Sequence, residues 1–402
     1  MFVILIFLYH YILFLQLVFL LIFWMYIKIK YPFWSSQPLF HTYDYFRKLQ
    51  KSPFLVSTKV VSTKYYKPEN IQTFEYLQCD EKKINKFIDF IQCNYNDSDN
   101  ILLLNDKKNY LAFFFDQTYP TLISFYQEKI KTLQMENTIV LGCIISRFIT
   151  ISFEKNILPT FFLDYLCIHK SCKEKQKQTI LYNLIQTHEH NQREKNPTIH
   201  TSLIKQKKKP FDGIIPLVKY HQLLYYLPES IKKVDLSLPY QFTCVPIQKE
   251  NSHLLFDFLE KSNSIFRFTA ISNFMKILYL INNEEIYVYC LCKGSHVYAY
   301  YFFKNSQKQY DHIGNVLEFI GSYNNTRSTD LFYQGFIYAL NTIRSKNDFK
   351  ILLFENISHN SLLIEKMTEL YSLLLKEDTY YYLYNYIIPL SPLNEKECFF
   401  LL

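Results

Sequence analysis

The residues whose types are most suggestive of chemistry are the last ones. Positions 379–402 read TYYYLYNYIIPLSPLNEKECFFLL: an aromatic run at 380–386, a turn around Pro389 and Pro392, and an apolar run ending on Leu402. Chain ends are usually frayed and polar. An apolar end is drawn inward and takes a free α-carboxylate with it, and such a carboxylate either needs a partner or is itself a chemical tool. The plainer alternative is an apolar strand completing a sheet. A second pattern lies upstream. FFLDYLCIH (161–169) reads as a strand, KSCKEKQKQ (170–178) as a charged loop, and a helix is expected from about Thr179 to His190. Strand, basic loop and helix form an arrangement that holds a pyrophosphate, because amides at the helix N-terminus and flanking cations meet the anion together. Lys173, Lys175 and Lys177 are positioned to supply charge, whereas Glu174 would repel phosphate unless it points away. A solvated charged loop before a helix explains the same residues.

Other chemistries find little support. Cys167, His169 and Cys172, or His188 with His190, suggest a metal, but neither group has the second half of a zinc site. The chain has only 6 glycines and no glycine-rich nucleotide loop. Its formal charge of +8 is mild and concentrated at 205–209 and 170–177, which suits a polyphosphate, CoA or anionic lipid better than nucleic acid. The nine cysteines sit mostly inside apolar runs and read as reduced, buried thiols.

These groups need a scaffold, and the chain can supply one. Its 402 residues are 49% hydrophobic and 18% aromatic, enough for one large or two smaller cores. An amphipathic helix is expected at 81–93, with Ile84, Phe87, Ile88 and Ile91 on one face. Consecutive strands are expected at 138–146 and 148–153. The second half reads as helix 249–261, paired strands 276–280 and 285–291, strand 295–303, helix 330–344 and strand 349–354. Ahead of all this, positions 2–26 are almost wholly apolar, interrupted by His10 and Gln16. As a helix they would run roughly 37 Å, enough to span a bilayer. With no basic residue before the run and no small-residue cleavage site after it, a retained anchor is expected; a misassigned start is the alternative. Lys28 and Lys30 follow, so the positive-inside rule places the bulk of the chain in the cytoplasm.

Several strings, in order, resemble the eukaryotic N-myristoyltransferases. YPFWSSQP (31–38) resembles the family's YxFWxTQPV, with Ser36 for Thr. NYNDSDN (94–100) resembles its acidic NYVEDDD loop, and 109–115 its FLxWAL helix. FFLDYLCIH resembles its INFLCVH strand, and the loop at 170–178 its HKKLRSKRLAP loop. HQLLYYLPESIKK (221–233) resembles its KLYRLPExPKT connector, Tyr323 with Asn324 its FYN, FEN (354–356) its LMEN, and the aromatic run at 380–386 its C-terminal YYLYNW. Departures are specific. Asp164 stands for Asn, Glu174 for Ser, Gln176 for Arg and Ile320 for Tyr. LKEDT (375–379) replaces a Gly-Asp-Gly loop, and a stretch of about two dozen residues before the connector is missing.

The resemblance implies an α/β chain with mixed sheets: two tandem acetyltransferase-like (GNAT-like) folds sharing one sheet, with an anchor at 1–27, an acyl-CoA-binding domain at 28–212 and a peptide-binding domain at 213–402. It implies transfer of a long-chain acyl group, myristoyl foremost, from acyl-CoA to a protein N-terminal glycine, with no metal and no nucleic acid. Backbone amides of Tyr165 and Leu166 would form the oxyanion hole, and the Leu402 carboxylate would be the base. Tyr31, Pro32, Phe33, Trp34, Cys167, Ile168, Lys173, Glu174, Lys175, Gln176, Lys177 and Gln178 would form the CoA site. The alternatives are a membrane-tethered relative that keeps the fold without the reaction, and an acetyltransferase-like enzyme with a polyamine or lysine acceptor.

Overall fold

A computed structural model describes every residue except 1, 61, 96–100, 104–110, 115–118, 132–135, 155, 230–237 and 311–312. Most of the expected acidic loop (96–100), residues 109, 110 and 115 of the expected helix and the end of the connector fall outside the described residues.

The chain begins with α1 (Phe2–Lys30), whose segment Ile6–Lys30 has a mean hydropathy of 2.4 and is long and apolar enough to cross a membrane. Near its end Ile27 packs into the body of the protein. After the short α2 (Tyr45–Lys48) come β1 (Phe54–Leu55), β2 (Ile71–Glu75), α3 (Glu81–Asn94), β3 (Ile101–Leu103), β4 (Leu122–Lys131), β5 (Glu136–Phe153) and β6 (Asn156–Ile168). Next are α4 (Glu174–Lys195), β7 (Thr201–Gln206), β8 (Val218–Tyr226), β9 (Phe242–Pro246), α5 (Ser252–Ile265), β10 (Phe268–Ile271), α6 (Phe274–Asn282), β11 (Ile286–Lys293), β12 (His296–Tyr310) and β13 (Gly314–Asn324). The chain closes with α7 (Thr329–Lys346), β14 (Phe349–Glu355), α8 (Ile364–Leu370), β15 (Leu373–Tyr384), β16 (Tyr386–Ile387) and β17 (Cys398–Leu401).

One mixed sheet runs in the order β17-β10-β5-β6-β7-β15-β8-β14-β13-β12-β11-β9, with β4 on β5, β2 on β4 and β3 on β12. This is the expected α/β class with mixed strand directions. Strands from the two ends of the chain interleave: β15 lies between β7 and β8, and β10 pairs with β5. The division proposed at 212/213 therefore runs through one continuous sheet. Helices cover it with their apolar faces. In α3, Asp80 accepts the Lys83 amide as N-cap while Phe87, Ile88 and Ile91 are buried.

Several expectations are corrected. Residues 276–280 are helical, in α6, because Ile277, Leu280 and Ile281 recur at helical spacing and Asn273 caps the helix by accepting the Met275 amide. The real partners of β11 are β9 and β12. The strands expected at 138–146 and 148–153 are one strand, β5. Arg147 reads as a break but is buried with its charge matched by Asp164, so the ladder continues. Helix α4 starts at Glu174 rather than Thr179, which shortens the basic loop by about one turn. Helix α5 begins at Ser252 and ends at Ile265, shifted from 249–261.

Candidate active site

The site starts from a fault in β6. Cys143 pairs with Cys167 and Ile145 with Asp164, so Tyr165 and Leu166 together oppose Ile144 as a β-bulge. Tyr165 has φ +47, the left-handed region that non-glycine residues seldom adopt. On its other side, β6 pairs with β7 only from Thr160↔Thr201 to Leu163↔Ile204. Beyond that point the pairing of these two parallel strands ends, and a cavity of about 810 Å³ opens, with Asp164, Tyr165 and Leu166 in its wall.

The chain end reaches the same cavity. Strand β17 runs parallel to β10 from Phe268↔Cys398 to Ile271↔Leu401, and the Ser272 amide donates to the Leu401 carbonyl at 2.9 Å. Phe400 stacks on Tyr381 with ring centroids 4.1 Å apart and planes within 6°. Leu402 is 8% exposed and lines the cavity with Phe400 and Tyr381. Among the described residues no cation pairs with its carboxylate, and several cations in and beside the cavity are engaged elsewhere. Arg147 pairs with Asp164 at 2.8 Å, Lys205 with Glu355 at 2.5 Å, Lys207 with Glu377 at 2.8 Å and Lys308 with Glu318 at 3.0 Å. Lys304 stands 4.5 Å from the centroid of the Phe113 ring.

The charges in this wall shift one another. Burial opposes the charge of Glu318, but Lys308, Lys304 and Lys205 outweigh it and hold the carboxyl below its usual pKa. Burial likewise opposes the charge of Lys205, yet Glu355 above all pushes it well above the ordinary lysine range. For Lys304 burial wins, helped by Arg147 and Lys205, and its pKa is lowered. The wall is therefore a mosaic of fixed ion pairs with one cation, Lys304, set against an aromatic face.

The residues expected at the site divide into two groups. Tyr165, Leu166 and Leu402 share the cavity. The remaining ones lie outside its lining. Phe33 and Trp34 are buried in the core with Leu184 and Ile185 of α4, Phe33 stacking on Tyr182 at 4.3 Å, while Tyr31 stacks on Phe211 at 4.6 Å and Pro32 is exposed. Cys167 is buried with its sulfur 3.4 Å from that of Cys143, whose pKa is raised well above the usual thiol value by burial and by Cys167. Ile168 pairs with Gly142 at the end of β6. Lys173 is the N-cap of α4, with no side chain capping the helix amides, and Glu174, Lys175, Gln176 and Gln178 are exposed along its first turns. Lys177 is half-buried and pairs with Glu174 at 2.9 Å.

The chain spans less than half the length of the curated relatives it matches: it is 27% identical over 159 residues to glycylpeptide N-tetradecanoyltransferase of Plasmodium falciparum, 39% of this chain and 38% of that one. No protein-family model matches it. Among solved structures it superposes on Saccharomyces cerevisiae N-myristoyltransferase with bound myristoyl-CoA at a TM-score of 0.64 and 12% identity, covering 89% of this chain and 93% of that one. An inhibitor-bound structure of the same yeast protein matches at 0.64, over 89% and 90%.

The chain has the N-myristoyltransferase fold. The mixed α/β architecture that the resemblance implied is thus the observed one.

Sequence reasoning missed Lys304, Glu318 and Glu355 in this cavity, and Arg147, which pairs with Asp164 of its wall. A signal was present: each is a charged residue inside an otherwise apolar strand, as in VLEFIG at 316–321. A charge in such a run is buried only if it is matched or faces a cavity.

Proposed function

We propose that the chain is a membrane-anchored N-acyltransferase that moves a long-chain acyl group, myristoyl foremost, from acyl-CoA to a protein N-terminal glycine. The observation that carries this reading is the convergence of the Tyr165–Leu166 bulge and the Leu402 end on one cavity, beside the gap between β6 and β7.

An α-ammonium with a pKa near ~8 is mostly protonated at neutral pH and cannot attack. The Leu402 carboxylate accepts its proton. The freed amine nitrogen then bonds to the thioester carbonyl carbon while the carbonyl oxygen takes up negative charge against backbone N–H groups at Tyr165 and Leu166. Collapse reforms the carbonyl and breaks the carbon–sulfur bond, and the second proton on nitrogen passes to the departing sulfur, so that CoA thiol and an amide are the products. No side-chain nucleophile takes part, so the buried Cys167 stays a structural thiol. The pyrophosphate of CoA is assigned to the uncapped amides at the start of α4 with Lys173 and Lys175, and Pro32–Trp34, Cys167, Ile168, Glu174, Gln176, Lys177 and Gln178 complete that site. In this reading residues 1–27 anchor the protein and Lys28 and Lys30 keep the catalytic body, 28–212 with 213–402, on the cytoplasmic side.

One observation favours a second reading, a membrane-tethered binding protein that no longer catalyses. The Tyr165 amide already donates to Asp164 Oδ1 at 2.9 Å. The deciding experiment presents the full chain, in detergent, with acyl-CoAs of mixed length and glycine-starting peptides, read by mass spectrometry. A glycine-dependent product of one preferred acyl length supports the enzyme. Acyl-CoA binding without product supports the non-catalytic relative, and a product on polyamine or lysine instead reassigns the acceptor.

A further inference from the structure

A second cavity, of about 520 Å³, lies between the last turns of α1, the segment at 35–60 and α4. Among the described residues none lines both cavities. Its inner wall is a buried polar layer. Tyr384 donates through its hydroxyl to Gln37 Oε1 at 2.6 Å, and Gln37 Nε2 donates to Gln186 Oε1 at 3.3 Å. Asn385 fixes the strand beneath by donating to the carbonyls of Ser57 and His200.

Against this satisfied layer stand buried groups whose hydrogen-bonding capacity is not filled. Glu189 is 2% exposed, and neither carboxylate oxygen has a hydrogen-bond partner. The nearest cation, Arg193 Nη2, is 3.8 Å away, beyond hydrogen-bond reach. Arg193 is 5% exposed, lies over the Tyr384 ring at 5.5 Å, and leaves Nε and Nη2 without acceptors. Ser35 Oγ, His190 Nδ1 and the Tyr43 hydroxyl are also unpartnered. Native proteins satisfy nearly all buried polar groups, so a loosely paired carboxylate and guanidinium with open hydrogen-bonding positions on one cavity wall suit a ligand that engages both. Burial raises the Glu189 carboxyl pKa, with Arg193 and Ser202 opposing it.

We propose that this cavity binds a phosphorylated primary amine, the ammonium on Glu189 and the phosphate on Arg193. A bare phosphate would face the Glu189 carboxylate and leave it unsatisfied. A quaternary ammonium has no N–H to donate, whereas the orphaned acceptors require donors. Lys28 and Lys59 at the lining add positive charge for the phosphate. Such a group has two sources: a soluble phosphoamine, or the headgroup of an ethanolamine phospholipid. The lipid source follows from position, because Trp24 and Lys28 belong to the last turns of α1 and line the same cavity. If α1 spans a bilayer, the cavity lies at the headgroup level, where tryptophan and lysine collect. The choice of source rests on that membrane reading; the ligand chemistry does not, and neither depends on acyl transfer.

The test titrates the full chain in neutral detergent, without acyl-CoA, with glycerophosphoethanolamine, glycerophosphocholine and inorganic phosphate by calorimetry. In parallel, the chain is reconstituted in bilayers of mixed ethanolamine and choline phospholipids, and the lipids it retains are counted by native mass spectrometry. The ethanolamine compound is expected to bind at least tenfold tighter than the other two. Glu189→Gln and Arg193→Gln should each lose at least tenfold. Lys28→Glu with Lys59→Glu, two changes that leave the core untouched, should lose several-fold. Binding of the soluble compound without lipid enrichment assigns the soluble source, and selective retention of ethanolamine lipid assigns the headgroup. Equal binding of all three ligands, indifference to the substitutions, or no binding in either arm overturns the proposal and leaves the cavity to ordered water.

Discussion

Asp164 accepts the amide of its own neighbour, Tyr165, at 2.9 Å, and holds Arg147 at 2.8 Å with the same carboxyl group. A carboxylate therefore sits where the proposed reaction would build negative charge on an oxygen. Asp164→Asn removes that charge and makes the amide easier to release. Turnover should rise about tenfold, equivalent to about 1.4 kcal/mol of barrier. Because Arg147 loses its counterion, the same variant should be less stable by about 2 kcal/mol. Steady-state kinetics and urea unfolding separate the two effects, and unchanged or lower turnover would remove Tyr165 from the oxyanion hole.

Extending the chain by three small residues beyond Leu402 removes the carboxylate while leaving every side chain in place. If it is the general base, kcat should fall by about 10²–10⁴ with acyl-CoA binding retained. Turnover that survives the extension assigns the base elsewhere.

The stack of Phe400 on Tyr381 holds the last strand against the sheet, and Phe400 is buried. Phe400→Ala should destabilise the protein by about 3–5 kcal/mol, since neighbouring β-sheet atoms cannot fully collapse into the space. It should also lower turnover by misplacing Leu402. Phe400→Leu, which keeps most of the volume, should recover most of the stability in a thermal or urea melt.

His188 gives a pH dependence with a definite sign. It is fully buried, contacts Ser124 Oγ through Nδ1 at 2.7 Å, and burial lowers its pKa from 6.5 to about 3. Below pH 6.5 the unfolded chain takes a proton there that the folded chain refuses. Its contribution to stability is therefore intact above pH 6.5 and falls on acidification, by about 1.4 kcal/mol per pH unit, until about pH 3. Urea midpoints measured across this range should show the slope in the native chain and a shallower one in His188→Asn.

Much of this was legible before any coordinates. The apolar helix at the N-terminus, the strand at 161–168 and the buried end at Leu402 each depend on local composition, and local composition is what periodicity reports. The order of short strings carried the fold because each marks one element of a known architecture. Where reading failed, a local signal was overridden or ambiguous. MKILYL at 275–280 is apolar enough for a strand, and the Asn273 cap together with the spacing of Ile277, Leu280 and Ile281 makes it α6. Arg147 reads as a strand break only while its partner is unknown.

The chain by itself determined which segments are apolar and which end must be buried, because those properties belong to neighbouring residues. Tertiary structure alone decided which charges meet. Lys205 finds Glu355 at 150 positions' separation, and Gln37 finds Tyr384 at 347. It likewise decided that β15 lies between β7 and β8, and that Leu402 shares a cavity with Tyr165. Hydrophobic pattern specifies that a side chain is buried, not what lies opposite it; that is set by strand order and register, which arise only when the whole sheet closes.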